Sequence, residues 1–367
     1  MDDKAYMRLA LELAAKGYGK TSPNPMVGAV LVKGRAVIGR GWHRRAGGPH
    51  AEVGAIRDAL QADYNIKGST LYVTLEPCST QGRTPPCTQA ILDHQINRVV
   101  VAATDANPKH AGRAFRVLKK AGIEVCKGVM RTEAARMNEG FSHWVTTGTP
   151  FVTVKAAMTL DGKIATENRE SKWITGEVAR RKGMHLRKGS DAILVGIETV
   201  LADNPSLLAR GKRSGGLLRR IILDSQARIP LDAQLLTDDQ KECTTVVVRR
   251  GAPVKRIAAL RKRAHVIEAP TRKDRIDLKW LMKRLGKESV VNLLVEGGGE
   301  VNGSFLQTGL AQRVAFFYAP KILGGSRSMA AVGGAGFQRM ADALTLRELE
   351  WSRLGPDLML TALVGKD

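Results

Sequence analysis

The sequence predicts an α/β protein of two domains, and three observations carry that expectation. Helix-like and strand-like patterns alternate through the first 145 residues, Gly148-Thr149-Pro150 interrupts them, and a second series of short apolar runs opens at Phe151. At about 150 residues per domain, a chain of 367 residues has room for about two.

In chain order, Ala5–Lys16 spaces Tyr6, Leu9, Ala10 and Leu13 as one apolar helix face that stops at Gly17. Gly28–Val32 and Ala36–Gly39 flank a Lys33-Gly34 turn and read as a hairpin. Helices are expected over His50–Leu60, Pro86–Leu92, Ala114–Ala121 and Arg131–Asn138, with strands at Thr70–Leu75 and Arg98–Ala102. Beyond residue 150 the strand-like runs are Phe151–Ala157, Ala192–Val195, Arg220–Leu223, Thr244–Val248, Val290–Val295 and Val314–Tyr318. Helices are expected near Ala179–Leu186 and Leu278–Leu285, so parallel pairing should dominate. The domains are therefore placed at 1–147 and 148–367.

With 43% apolar and 25% charged residues, the chain can build cores, which excludes wholesale disorder. Its longest apolar runs, such as Val99–Ala103, are far shorter than the roughly 20 residues of a membrane helix. The Met1-Asp2-Asp3 start is acidic where a leader would be basic, so a cytoplasmic protein is expected. Lys and Arg number 58 against 35 Asp and Glu, a net +23 that attracts anions. Aromatics are only 5%, whereas single-strand binders stack bases on them, so charge alone does not indicate nucleic acid.

Four cysteines are too few for a disulfide scaffold, and two have metal-like surroundings. His50-Ala51-Glu52 opens a predicted helix, Pro77-Cys78 follows a predicted strand, and Cys87 begins another helix. One imidazole and two thiolates fill three corners of a zinc tetrahedron and leave the fourth for water. Glu52, two residues after the ligand, is placed to take a proton from that water and pass it to a leaving amine. The arrangement is the H-x-E…P-C pattern of zinc nucleobase deaminases, here with Cys78 and Cys87 separated by eight residues. Cys87 is expected to have its thiol pulled down by its helix start, and Cys126 and Cys243 to be buried small hydrophobes. Asn24, in a proline-stiffened turn, offers a donor and an acceptor to a ring edge, and Arg83, between the cysteines, suits a phosphate.

In the second half, Lys155 interrupts an apolar strand, which is costly unless it is paired or used. Val290–Val295 runs through Glu296, Gly297, Gly298 and Gly299 toward a helix, an anion cradle that is not the G-x-G-x-x-G fingerprint.

The motifs P-N-P-M-V-G, H-A-E, E-P-C-S…G-R-T-P-P-C, K-A-A-M-T-L-D-G-K-I-A, T-V-L-A-D-N-P and V-E-G-G-G resemble, in order and over nearly the whole chain, the bifunctional pyrimidine deaminase/reductase of riboflavin biosynthesis. The resemblance implies a cytidine-deaminase-like three-layer domain followed by a dihydrofolate-reductase-like α/β domain. It implies zinc-dependent deamination of 2,5-diamino-6-(5-phosphoribosylamino)pyrimidin-4-one, then NADPH-dependent reduction of the ribosyl to a ribityl chain. Zn2+ would be held by His50, Cys78 and Cys87 beside Glu52, and Asn24, His43 and Arg83 would line the substrate pocket. Ala157, Trp173, Thr199, Asp203, Ser225 and the loop Gly298, Gly299, Glu300, Val301, Asn302, Gly303 and Ser304 match NADPH-contacting positions. Ser171, Arg187, Leu207, Arg210 and Glu296 match substrate positions, and Lys155 is the group expected to polarise or protonate the sugar oxygen. Thr80 stands where the family usually has a histidine, and Ala114 where it tends to have glycine. The expected partner is a phosphorylated small molecule, with no membrane and no nucleic acid, and the family commonly forms homo-oligomers. The alternatives are a tRNA or polynucleotide deaminase with an accessory domain, and a nucleic-acid-binding regulator with a structural zinc.

Overall fold

The computed structural model describes residues 2–81, 85–108, 110–209 and 216–365. Arg83 and Arg210, both expected at binding sites, lie outside those residues. The chain divides between Gly148 and Thr149 into two compact units.

The first unit follows the order α1 (Asp3–Ala15), β1 (Gly28–Lys33), β2 (Ala36–Trp42), α2 (Ala51–Gln61), β3 (Thr70–Leu75), α3 (Cys87–Asp93), β4 (Arg98–Ala103), α4 (Arg113–Lys120), β5 (Glu124–Lys127), α5 (Arg131–Met137) and α6 (Glu139–Thr147). Asp2 caps α1, its carboxylate accepting from the Ala5 N–H at 2.9 Å. The sheet order is β2-β1-β3-β4-β5, antiparallel across β2-β1-β3 and parallel across β3-β4-β5. Successive side chains of a strand face opposite ways, so Leu31, Val73 and Val101 pack under α2, α3 and α4. Val30, Val32, Tyr72 and Val100 pack under α1 and α5. This is the expected three-layer sandwich. The first turn of α2 lies almost on β2: a Cβ at Gly41 would fall 2.1 Å from the Ala51 carbonyl oxygen. Only glycine permits that approach, and it sets where His50 and Glu52 emerge.

The second unit continues with β6 (Phe151–Thr159), β7 (Lys163–Ala165), α7 (Glu177–Lys188), β8 (Ala192–Gly196), α8 (Ile197–Asp203), β9 (Arg219–Leu223), α9 (Gln234–Thr237), β10 (Thr244–Arg249), α10 (Val254–Arg261) and β11 (His265–Ala269). The two-residue strands β12 (Thr271–Arg272) and β13 (Arg275–Ile276) precede α11 (Leu278–Lys287), β14 (Asn292–Val295), α12 (Gly299–Gln307), β15 (Arg313–Ala319), β16 (Met329–Ala330), β17 (Leu346–Leu354) and β18 (Asp357–Val364). Nine strands form one sheet in the order β11-β10-β9-β8-β14-β6-β15-β18-β17. The run from β11 to β15 is parallel, and β18 and β17 add an antiparallel edge. Val152, Leu194, Ile221 and Leu293 pack with α11 and α12 on one face. Ile193, Ile222 and Val246 pack with α8, α9 and α10 on the other, where α7 also rests on Ala315 and Phe317. The strand residues expected along this half all fall within strands, except Val290 and Val291, which precede β14.

Candidate active sites

In the first unit, His50 sits just before α2 in an extended conformation, Cys78 follows β3, and Cys87 is the first residue of α3. His50 Nδ1 lies 3.2 Å from Cys87 Sγ and 3.5 Å from Cys78 Sγ. The three donor atoms all lie within 4.8 Å of one another. One nitrogen and two sulfurs converging this closely fit a tetrahedral zinc with one corner for water. The Cys87 N–H donates to Cys78 Sγ at 3.2 Å. The Cys78 thiol is held low by its bonds from Cys87 and His50. The helix-start N–H of Cys87 thus serves the neighbouring sulfur.

Glu52 is 3% exposed. Burial pushes its carboxyl up, with His50 opposing in part, which suits a group that must take and return a proton near neutrality. The cleft around these residues holds about 210 Å³. Asn24 and His43 line it too. His43 is buried, and burial keeps it below its usual value. A neutral ring then donates from Nδ1 to the Pro49 carbonyl at 3.0 Å and accepts at Nε2 from Asn24 Nδ2 at 3.1 Å. That leaves the other Asn24 N–H and its oxygen free of this chain of bonds.

Sequence reasoning missed Glu76, Asp105, Asn107, His110 and Phe141, which line the same cleft. The Glu76 carboxylate accepts from the Asp105, Gly112 and Ala114 N–H groups at 3.3, 2.9 and 3.1 Å, so it organises the whole loop after β4. Its place in E-P-C was the one signal available. Burial raises the Asp105 carboxyl. The Thr80 hydroxyl lies 3.3 Å from His110 Nδ1. Asn138 clamps the turn that carries Asn24, accepting from the Met26 N–H and donating to its carbonyl, each at 2.8 Å. Cys126 and Cys243 are half-buried rather than buried, Cys126 against the α1 face of the sheet.

In the second unit, the parallel strands bring the sequence-predicted residues to one edge. Ala157 lies near the end of β6, Thr199 and Asp203 follow β8 on α8, Ser225 follows β9, and Glu296 follows β14. Ala157, Ser225 and Glu296 are at the carboxyl ends of strands, where open α/β sheets bind ligands, and Thr199 and Asp203 lie on the helix that leaves such an end. Register sets Val154 beside Val295, which places Lys155 next to Glu296. Arg187, from α7, donates through Nε and Nη2 to the two Glu296 oxygens at 2.9 Å each, and Lys155 Nζ is 3.5 Å away. Burial would raise the Glu296 carboxyl, but Lys155 and Arg187 hold it down at about 2. Two cations and one anion leave this largely buried triad net positive.

Asp203 accepts from the Ser171 hydroxyl at 3.2 Å and lies 3.8 Å from Lys172 Nζ. Trp173 is exposed, with the Arg180 guanidinium 4.8 Å over its ring. Leu207 is buried in a left-handed conformation, φ 50°. Gly298 precedes α12 with no side-chain cap, so no capping side chain occupies the first-turn N–H groups that a phosphate cradle would use. Glu300 Oε1 accepts from the Gly334 N–H at 3.0 Å, Asn302 Nδ2 donates to the Ala331 carbonyl at 2.8 Å, and Ser304 Oγ donates back to the Glu300 carbonyl. These side chains fasten α12 and the 331–334 segment together, and Val301 packs against Gly297. The buried Asn302 oxygen has no donor among the described residues. The uncapped turn and that oxygen are compatible with a bound dinucleotide.

Two family profiles divide the chain as the folds do. The cytidine and deoxycytidylate deaminase zinc-binding region matches residues 1–103, and the RibD C-terminal domain matches residues 150–360. The chain belongs to the RibD family. Its sequence is 42% identical to the riboflavin biosynthesis protein RibD of Bacillus amyloliquefaciens, over 100% of this chain and 98% of that protein. It is also 42% identical to RibD of Aquifex aeolicus, over 98% and 97%. Among solved structures, Acinetobacter baumannii RibD matches at 38% identity with a TM-score of 0.86, covering 99% of each chain. A diaminohydroxyphosphoribosylaminopyrimidine deaminase/5-amino-6-(5-phosphoribosylamino)uracil reductase from Thermotoga maritima matches at 33% identity and a TM-score of 0.84, over 99% of this chain and 98% of that one. As a RibD, the chain is a bifunctional enzyme of riboflavin biosynthesis, a zinc-dependent deaminase joined to an NADPH-dependent reductase. The polynucleotide deaminase alternative is not favoured, because the second half is a RibD reductase domain. Among the described residues, no helix is long and apolar enough to cross a membrane.

Proposed function

We propose that residues 1–147 deaminate 2,5-diamino-6-(5-phosphoribosylamino)pyrimidin-4-one and that residues 148–367 then reduce its deaminated product with NADPH. His50, Cys78 and Cys87 would hold zinc, which supplies a Lewis acid that makes water acidic near neutral pH. Glu52 takes the proton of the attacking water and returns it to the amine; a C–O bond forms, the C–N bond breaks and ammonia leaves. Asn24, fixed by His43, presents its remaining N–H and oxygen to the pyrimidine edge. Arg83 is the residue proposed for the phosphate.

In the second unit, Ala157, Trp173, Thr199, Asp203, Ser225 and 298–304 would bind NADPH, while Ser171, Arg187, Leu207, Arg210 and Glu296 would bind the substrate. NADPH held there would supply the hydride for the ribosyl carbon; as the ring C–O bond opens, a proton must reach the freed oxygen. Lys155 can give that proton, held in line by Glu296. The observation that carries the whole reading is Glu52 buried beside three converging zinc-type donors. Incubating the purified protein with the diaminopyrimidine tests it: ammonia should appear first, and NADPH absorbance should fall only after it. NADPH loss without ammonia release would overturn that order.

A further inference from the structure

Arg220, on β9, is fully buried, yet it is a charged side chain in an apolar layer. All five of its N–H donors are used. Nε donates to Thr244 Oγ1 at 3.0 Å, Nη1 to the Ser206 carbonyl at 3.0 Å and to Asp238 Oδ2 at 2.5 Å, and Nη2 to Asp238 Oδ1 at 2.8 Å and the Leu235 carbonyl at 3.1 Å. Four of these tie α9, the turn after it and β10 together. The fifth reaches the segment after α8.

That fifth bond lies next to Leu207, whose other neighbour, Leu208, gives its carbonyl to Arg187 Nη1 at 3.1 Å. Two guanidiniums thus grip the backbone on either side of one left-handed, buried leucine, Arg187 from the Lys155–Glu296 triad and Arg220 from behind. The segment is pinned a third time where the Gln234 N–H donates to Asn204 Oδ1 at 2.9 Å. We infer that Arg220, paired with Asp238, is a positioning residue for the reductase: it holds the 204–208 segment so that Asp203 and Leu207 face NADPH and substrate. This rests on the reading of that segment as reductase site given above.

The geometry favours a positioning role over a purely stabilising one. A buried ion pair seldom stabilises more than apolar side chains of similar size would. The Leu235 carbonyl also accepts from Thr244 Oγ1, and Asp238 Oδ1 from the Gln240 N–H, so both keep a donor without Arg220. The Ser206 carbonyl is the group that would be released.

Arg220→Met alone strands the Asp238 charge and can fail to fold, so the decisive protein is the Arg220→Met/Asp238→Leu double variant, which removes both charges at once. Its deaminase rate is an internal control, since those residues lie in the other unit. The expected result is a KM for the aminouracil substrate raised about tenfold or more. Reductase kcat should stay within about threefold, with unchanged deamination and an unchanged melting temperature. A double variant with wild-type reductase KM overturns the inference, and so does loss confined to kcat. Asp203→Asn separates the two readings. If it leaves NADPH oxidation unchanged, the segment is not the reductase site; if it impairs turnover while the double variant does not, only the role of Arg220 fails.

Discussion

Arg187 holds Glu296 in a two-bond fork, Nε to Oε1 and Nη2 to Oε2, and Lys155 shares the same carboxylate from the neighbouring strand. The fork orients Glu296, and Glu296 in turn limits where the Lys155 amine can go. Gly183 on α7 lies alongside Lys155, where a Cβ would stand in ordinary van der Waals contact, 3.9 Å from the lysine Cε. In the role proposed for it, Lys155 is aimed before substrate arrives, which lowers the cost of ordering it during the reaction.

Glu296→Gln keeps the shape and removes the charge. Reductase turnover is expected to fall by about 10²-fold or more, because Lys155 and Arg187 then repel each other across a neutral amide. Acid stability gives a separate check. The native carboxyl sits at about 2 instead of 4.5, so its stabilisation is fully present above pH 4.5 and is lost as pH falls through 2. The magnitude is on the order of 3 kcal/mol. Thermal melts should show Glu296→Gln less stable at pH 7, with the gap closing toward pH 2; a gap independent of pH would refute the assigned charge.

Glu52→Gln should cut ammonia release by about 10²–10⁴-fold while zinc stays bound, since residue 52 is not among the three converging donors. Metal analysis and an ammonia assay on one preparation decide it. A variant that loses zinc together with activity would make Glu52 a ligand instead.

Cys78→Ser should lose both zinc and deamination. Reduction of the already deaminated compound should continue, because the second unit has its own sheet and cores. A chelator applied to the wild-type protein should reproduce that split. Loss of both activities together would show that the metal also supports the reductase.

Much of this was legible in the sequence because the signals were local. Thr70–Leu75 is a strand at the expected bounds, and the helix after His50 starts one residue later than expected. His50, Cys78 and Cys87 could be grouped since each adjoins a strand end or helix start. The misses have a common physical cause. Leu346–Leu354 is a mostly exposed edge strand that reads as polar, and its pairing with β18 is a tertiary fact. Glu124–Lys127 is too short to show alternation. Asp105, His110 and Phe141 join the cleft only through folding, and Arg220 opens a run expected as a strand, while the five acceptors around its guanidinium come from segments that only the fold brings to it.

Gly303→Ala isolates the contact between α12 and the segment after β16. In a helix, alanine is normally favoured over glycine by about 1 kcal/mol, so propensity alone predicts a more stable protein. Here, however, the new Cβ would lie 2.0 Å from the Gly333 carbonyl oxygen and 2.8 Å from its carbon. Backbone atoms cannot swing aside as a flexible side chain would, and the 331–334 segment is tied down by the bond from Asn302 to Ala331, by the Gly333 N–H to the Gly299 carbonyl at 2.9 Å and by Glu300 to Gly334. Overpacking of this kind costs about 1–3 kcal/mol, more than the propensity gain. The segment should move away from the first turns of α12, raising the KM for NADPH and lowering the melting temperature while deamination continues. Gly298→Ala is the control, because nothing lies within 4 Å of its Cβ. It should fold normally, and if both substitutions behaved alike, close packing at Gly303 would not be what shapes this edge of the reductase site.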